Sequence, residues 1–211
     1  MIKQNIENIL TAVQQNNSKL KSANTTLIAV SKKRTKTEII EAIDAGITNF
    51  GENYLTEAED KWLELKADYP NITLHFIGHL QSNKLKKIHH LFDVIHSIDS
   101  SKLINELKNY QDKPKKYLLQ LDLDPENINK AGLQPKDLEA TLQYATECKV
   151  PISGLMGMCP INCPVSPYFA FLYQLKNKYS LNELSMGMTH DYVEAVTFGS
   201  TMLRIGSGIF N

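Results

Sequence analysis

The segment LIAVSKKRTKTEIIEAIDAGITNF, residues 27–50, contains one complete strand–helix–strand unit. It begins and ends on short apolar runs, at 27–30 and 48–50. Between them, Thr35 and Glu38 have the spacing of a helix capping box. Continuous rather than alternating hydrophobicity is typical of strands that are covered on both faces, so the segment predicts a parallel β/α unit.

The same pattern continues to the end of the chain. Amphipathic segments of helical period separate six further apolar runs, at 74–77, 94–98, 117–121, 152–156, 184–186 and 202–205. Eight strands that alternate with helices in 211 residues predict an α/β fold. We expect a single (β/α)8 TIM-like barrel domain over residues 1–211, and an open doubly wound sheet is the alternative.

The barrel should carry an added helix at its N-terminus. Five apolar side chains share one face of the first 13 residues, namely Ile2, Ile6, Ile9, Leu10 and Val13. The chain ends soon after the last apolar run, which leaves too few residues for a full eighth helix behind it. We therefore expect the N-terminal helix to cover the last strand.

Composition excludes several classes of partner. Hydrophobic residues make up 42% of the chain, and 23 Lys and Arg balance 23 Asp and Glu, which describes a globular protein without a basic field for nucleic acid or a membrane surface. The three cysteines, Cys148, Cys159 and Cys163, have no paired metal spacing and are interpreted as reduced thiols. The N-terminus lacks the apolar stretch of a signal peptide. We expect a cytoplasmic monomer.

Lys32 follows the first apolar run, and barrel proteins place their functional groups at the carboxyl ends of strands. A lysine there should point toward the barrel mouth. A lysine amine must be neutral to attack a carbonyl, and free lysine has a pKa of about 10.4. Burial beside Lys33 and Arg34 would favour the neutral amine. A solvated basic strand end is the alternative interpretation.

Two segments near the C-terminus resemble an anion site. Gly206, Ser207 and Gly208 follow the last apolar run and let an anion approach backbone N–H groups. The turn from Ser185 to Thr189 leads into the last helix, which Thr189 is expected to cap. The alternative is that these glycines only make tight turns.

Five motifs in register resemble the pyridoxal phosphate homeostasis proteins, single-domain relatives of the alanine racemase barrel. The first is the segment LIAVSKKRTKTEIIEAIDAGITNFGENYLTEAEDKW at 27–62. The others are HFIGHLQSNK at 75–84, HSIDS at 96–100, GLM at 154–156 and LSMGMTHDYVEAVTFGSTMLRIGSGIF at 184–210. The resemblance spans nearly the whole chain.

The resemblance implies a cofactor site. Lys32, in AVSK, matches the lysine that holds pyridoxal 5'-phosphate as an internal aldimine. Ser185, Gly206 and Ser207 match positions that bind the cofactor phosphate. This implied phosphate site coincides with the anion site that the glycines suggest.

Four further positions match the lining of the cofactor pocket. Arg204 matches an arginine that faces the pyridine nitrogen, Asn53 lines the cofactor, and His75 and Met156 lie at pocket positions. A fixed cation beside the ring nitrogen disfavours its protonation, which makes the ring a weak electron sink.

Three functions are consistent with these residues. The first is a pyridoxal phosphate carrier that takes part in homeostasis of the cofactor, supplies PLP-dependent apoenzymes and has little or no turnover. The second is a PLP-dependent amino-acid racemase, and the third is a Schiff-base aldolase that acts on a phosphorylated substrate. Racemisation needs an acid/base on each face of the substrate, and only Lys32 can be named. We therefore favour the carrier.

Overall fold

The computed structural model describes residues 1–20, 25–110, 115–124 and 131–211. In this part of the chain, eight parallel strands pair in sequence order, and β8 pairs with β1 to close a barrel. The closed barrel confirms the predicted fold and excludes the open sheet. The strands are β1 (Thr26–Val30), β2 (Asn49–Glu52), β3 (Thr73–Phe76), β4 (Val94–Ile98), β5 (Lys116–Gln120), β6 (Ile152–Met156), β7 (Glu183–Ser185) and β8 (Met202–Ile205).

Helices surround the barrel in the described part of the chain; seven of them connect successive strands, one precedes β1 and one follows β8. They are α1 (Ile2–Leu20), α2 (Lys36–Asp44), α3 (Leu55–Asp68), α4 (Leu85–Leu91), α5 (Ser101–Leu107), α6 (Leu138–Glu147), α7 (Ser166–Lys178), α8 (Tyr192–Thr197) and α9 (Ser207–Phe210). In the described ranges, no helix is both long enough and apolar enough to cross a membrane.

The capping box predicted before α2 is present. The Glu38 backbone N–H donates to Thr35 Oγ1 at 3.3 Å, and the Thr35 N–H donates to Glu38 Oε2 at 2.8 Å. These two hydrogen bonds satisfy backbone donors that a helix N-terminus would otherwise leave unpaired. They also fix the point at which the chain leaves the turn after β1.

The N-terminal helix is confirmed, with one correction to its buried face. α1 packs against α2, α8 and the one-turn helix α9. Ile2, Ile6, Ile9 and Val13 are buried, but Leu10 is 44% exposed and does not belong to this face. Leu10 follows Ile9 directly, and the 100° step between neighbours turns its side chain away from the barrel.

Thr189 does not cap the last full helix. α8 begins at Tyr192, and Asp191 precedes it as the cap residue. The Asp191 side chain accepts a hydrogen bond from the Met188 N–H at 2.5 Å, which orders the turn before α8. The Thr189 hydroxyl is left to make other contacts, described below.

The barrel interior has an apolar and a polar part. The side chains of Ile28, Val94, Leu118, Met156 and Met202 form an apolar cluster that is separate from the larger core between strands and helices. The buried polar side chains of other strand residues, His75, His96, Ser185 and Arg204, form the polar part of the interior.

Candidate functional site at the barrel mouth

Lys32 lies in a turn at the mouth rather than in β1. The strand ends at Val30, and Lys33 adopts a positive φ of 60°, which turns the chain outward. Lys32 is therefore exposed, and the expectation that it would be buried at a strand end is wrong. The side chain borders a cleft of about 500 Å³, which is lined by Val30, Lys32, Lys33, Arg34, Tyr54, Gly206 and Ser207.

Gly206 and Ser207 line the cleft from the turn after β8, and Thr189 lies directly behind them. Ser207 Oγ donates to Thr189 Oγ1 at 3.2 Å, and the Gly208 N–H donates to the same oxygen at 3.2 Å. A Cβ at Gly208 would lie 3.0 Å from Thr189 Cγ2, so a side chain there would crowd the threonine. Thr189 was expected to be a cap, although its place in the turn beside the glycines was the signal that it belongs to the site.

A buried ion pair lies behind the Lys32 turn. Lys61, on α3, is only 7% exposed, and its Nζ lies 2.6 Å from Glu52 Oε1. The same carboxylate oxygen accepts hydrogen bonds from Ser31 Oγ at 2.7 Å and from Trp62 Nε1 at 3.0 Å. Glu52 itself is 0% exposed. Oε1 is thus paired with one cation and two neutral donors, whereas Oε2 is buried without a hydrogen-bond partner among the described residues.

This ion pair holds both neighbours of Lys32. Lys61 Nζ donates to the Ser31 carbonyl oxygen at 2.8 Å and to Glu57 Oε1 at 2.9 Å. Glu57 Oε1 in turn accepts the Lys33 N–H. Burial opposes ionisation of Glu57, but the hydrogen bonds from Lys61 and Lys33 outweigh it and lower the pKa of this carboxyl. We call Ser31, Glu52, Glu57 and Lys61 the turn clamp.

Arg204 lies inside the barrel and is held at its guanidinium. Nη1 donates to Ser185 Oγ at 2.6 Å, and Nη2 donates to the Gly157 carbonyl oxygen at 3.0 Å. Burial lowers the pKa of Arg204 to about 10, against the opposing effect of Asp191 and Cys159. The side chain therefore remains a cation at neutral pH.

Two histidines continue from Ser185 across the barrel. His96 Nδ1 lies 2.9 Å from Ser185 Oγ, and His96 Nε2 lies 2.9 Å from His75 Nδ1. His75 Nε2 then lies 2.9 Å from Asn49 Oδ1, at the start of β2. We call the five side chains from Arg204 through Ser185, His96 and His75 to Asn49 the interior chain.

Both histidines of the interior chain are neutral at physiological pH. Burial lowers the pKa of His75 to about 3, with Asp93 opposing and Lys116 reinforcing the change. Burial also lowers the pKa of His96 well below its ordinary value, and His75 and Arg204 act in the same direction.

The structure thus divides the predicted residues into two groups. Lys32, Gly206 and Ser207 share the cleft, whereas His75, Ser185 and Arg204 belong to the interior chain. Met156 is buried in the interior apolar cluster. His96 was not singled out, although its place in the HSIDS run, two residues after the interior Val94, indicates an interior position.

Asn53 follows β2 directly. Its Oδ1 is buried and accepts no hydrogen bond from the described residues. A Cβ at Gly78 would lie 1.9 Å from the Asn53 carbonyl oxygen, so the glycine allows the two backbones to approach closely.

Comparison with known proteins decides the family. The model of the alanine racemase N-terminal domain matches residues 5–211. The pyridoxal phosphate homeostasis protein of Vibrio cholerae is 35% identical over 99% of this chain and 95% of its own length. This chain belongs to the pyridoxal phosphate homeostasis protein family. The family member of Synechocystis sp. is 36% identical over 87% of this chain and 89% of its own length.

A solved structure has the same architecture. PipY of Synechococcus elongatus, determined with PLP bound, is 36% identical and superposes with a TM-score of 0.81, covering 94% of this chain and all of the other. A histidine racemase from Leuconostoc mesenteroides superposes with a TM-score of 0.68 at 17% identity, a likeness of fold alone.

The turn clamp predicts a large loss of stability when its cation is removed. Lys61→Met leaves the fully buried Glu52 carboxylate without its ion partner and should lower the free energy of unfolding by about 3–5 kcal/mol. Lys36→Met is the matched control because Lys36 pairs with Glu64 on the surface, so its unfolding midpoint should stay close to that of the wild type. Urea unfolding measures both, and equal losses would contradict this account of the clamp.

The buried histidines predict an acid-sensitive fold. Folded His75 has a pKa of about 3, whereas an unfolded histidine titrates near 6.5, so the unfolded state binds more protons between these values. The folded state therefore has its full stability above pH 6.5 and loses stability as the pH falls. For His75 the loss is about 2 kcal/mol of unfolding free energy between pH 7 and pH 5. In His75→Gln, the unfolding free energy should depend less steeply on pH, by about 1.4 kcal/mol per pH unit. His79→Gln is the control at an exposed site, and its slope should equal that of the wild type. An unchanged slope in the His75 variant would refute this explanation.

Proposed function

We propose that this protein binds pyridoxal 5'-phosphate in the cleft at the barrel mouth, linked to Lys32 as a Schiff base. The lysine amine adds to the aldehyde carbon, water leaves, and a C=N bond replaces the C=O bond. The observation that carries the proposal is the cleft itself, which is lined by both Lys32 and Ser207, with the Thr189 hydroxyl hydrogen-bonded to Ser207. PipY, which is 36% identical, has been determined with PLP bound, and this supports binding of the same cofactor here.

The cofactor phosphate is assigned to Gly206, Ser207 and Thr189. Two hydroxyl groups beside glycine backbone N–H groups suit a phosphate, which accepts hydrogen bonds at several oxygens. Ser185 is the other candidate, but it is 0% exposed and its oxygen already contacts His96 and Arg204. We therefore assign Ser185 to the support of Arg204 rather than to the phosphate.

Arg204 is proposed to face the pyridine nitrogen, with Asn53 and Met156 around the ring, whereas His75 is assigned to the support of Arg204 through the interior chain. The orphaned Asn53 Oδ1 is free to accept a hydrogen bond from a bound molecule. Pyridoxal phosphate supplies a reactive carbonyl and an electron-withdrawing ring when bound. A guanidinium held beside the nitrogen keeps this ring unprotonated, which weakens its capacity to stabilise a carbanion.

We propose that the physiological role is homeostasis of the cofactor with little or no turnover. Catalysis at an amino-acid Cα requires water to be excluded and an acid/base on the second face. Lys32 is exposed, and an exposed linkage is open to an incoming lysine amine, which suits transfer of the cofactor to PLP-dependent apoenzymes. We propose that the protein acts as a cytoplasmic monomer, a location compatible with three cysteines that form no disulfide.

Covalent trapping tests the role of Lys32. Protein incubated with PLP should become yellow, and borohydride should reduce the C=N bond and attach one cofactor to the peptide that contains Lys32. Lys32→Ala should abolish the visible absorbance of the Schiff base. Lys33→Ala, a neighbour in the same turn, should retain it. A protein that stays colourless after reconstitution would refute cofactor binding and leave the aldolase as the remaining function.

Exchange at the amino-acid Cα tests the absence of turnover. The PLP-loaded protein should leave L-amino acids optically active and should not introduce deuterium from D2O at Cα, because among the described residues Lys32 is the one acid/base that we assign to Cα. A two-domain alanine racemase under the same conditions provides the positive control. Rapid loss of optical activity would show that the protein is a racemase.

A further inference from the structure

With the Asn49 amide oriented as in this structure, the interior chain has one arrangement of hydrogens that satisfies every contact. Its end is Asn49, whose amide nitrogen donates to Thr48 Oγ1 at 3.1 Å, which leaves Oδ1 as the acceptor for His75. An amide oxygen can only accept, so His75 carries its hydrogen on Nε2. A neutral imidazole has one donor and one acceptor, so His75 Nδ1 is an acceptor.

The same reasoning passes along the chain. His96 must donate from Nε2 to His75 Nδ1, which makes His96 Nδ1 an acceptor. The Ser185 hydroxyl therefore donates to His96 and presents only lone pairs to Arg204. Every hydrogen bond runs in one direction, from the guanidinium at the mouth to Asn49 at the opposite end of the barrel.

This direction matters for Arg204 because a guanidinium can only donate. If the Ser185 hydrogen pointed at Arg204, two donors would face each other at 2.6 Å. The second partner of Arg204, the Gly157 carbonyl oxygen, is also an uncharged acceptor. The guanidinium is thus fixed by two neutral acceptors, which hold its position without neutralising its charge.

We propose that His75 and His96 are positioning residues that orient the Ser185 hydroxyl and thereby hold the Arg204 cation in place. The chain is not a proton relay, because an amide at its end cannot take up a proton at physiological pH. The proposal rests on the function above in one respect, namely that Arg204 faces the ring nitrogen of the cofactor.

Burial favours the neutral form of both histidines along this path, and the nearby charges do not reverse it. Asp93 and Lys116 act on His75 with opposite signs, and Arg204 acts on His96 as a nearby cation. A proton on either ring would replace an acceptor with a donor and break the direction of the chain. The chain should therefore persist through the physiological pH range.

The first arm of the test needs no cofactor. In ¹⁵N–¹H correlation spectra of the cofactor-free protein, His75 and His96 should both show the neutral form with hydrogen on Nε2, from pH 8 down to pH 5. Hydrogen on Nδ1 of either ring, or protonation above pH 5, would overturn the proposed direction. This result does not depend on whether the protein binds PLP.

The second arm follows the pH titration of the bound cofactor's absorbance. His96→Leu removes both hydrogen bonds of the imidazole and leaves the Ser185 hydroxyl without its acceptor. The Arg204 cation is then less firmly held, so the titration midpoint of the cofactor's pyridine nitrogen should rise by about one pH unit. His96→Gln offers one donor and one acceptor and should restore the wild-type midpoint. The restoration distinguishes positioning from mere packing.

Ser185→Ala keeps the proposal testable if His96→Leu fails to fold. It should produce the same upward change in midpoint, and the double variant should add nothing, because both substitutions break one path. Unchanged midpoints in both single variants would overturn the proposal even if the tautomers are as expected. Failure of the wild type to bind PLP would refute the proposed function and leave the spectroscopic arm to decide the interior chain.

Discussion

Pairing of β1 with β8 is the constraint on which the rest of the structure depends. These strands come from opposite ends of the chain, and their register joins Ile28 to Arg204 and Ala29 to Ile205. Closure places the turn after β1 beside the turn after β8, and the cleft between Lys32 and Ser207 exists only because these two turns meet. An open sheet made of the same strands would separate the lysine from the glycines and hydroxyl groups.

Two networks of buried polar side chains support the region where β1 pairs with β8, one on each side of the strands. The turn clamp lies between strands and helices and holds the residues before and after Lys32. The interior chain lies inside the barrel and holds Arg204. Both systems place ionisable groups in a low-dielectric interior, where each needs a partner and tolerates few other arrangements. The exposed lysine is therefore attached to a rigid support.

Hydrophobic periodicity predicts the strands well, because strands covered on both faces must be continuously apolar. The bounds of β4, β6 and β8 agree with the apolar runs, and the capping box locates α2. Hydrophobic periodicity does not show how deeply an individual side chain is buried. Lys32 was expected to be buried because it follows the apolar run of β1, and the turn at Lys33 that exposes it has no apolar signature. Leu10 was assigned to a face that it only borders. Thr189 and His96 gain their roles from partners far along the chain, which local patterns do not reveal.

The family resemblance supplied the candidate residues, and the geometry divides them between binding and support. Lys32, Gly206 and Ser207 line one cleft with Thr189 behind them, while Ser185 is buried and contacts Arg204. A crystal structure of the protein grown with pyridoxal phosphate tests this division most directly. The account predicts electron density continuous with Lys32 Nζ and a phosphate between Thr189 and the Gly206–Ser207 turn. A phosphate bound at Ser185, or a cofactor located away from Lys32, would contradict it.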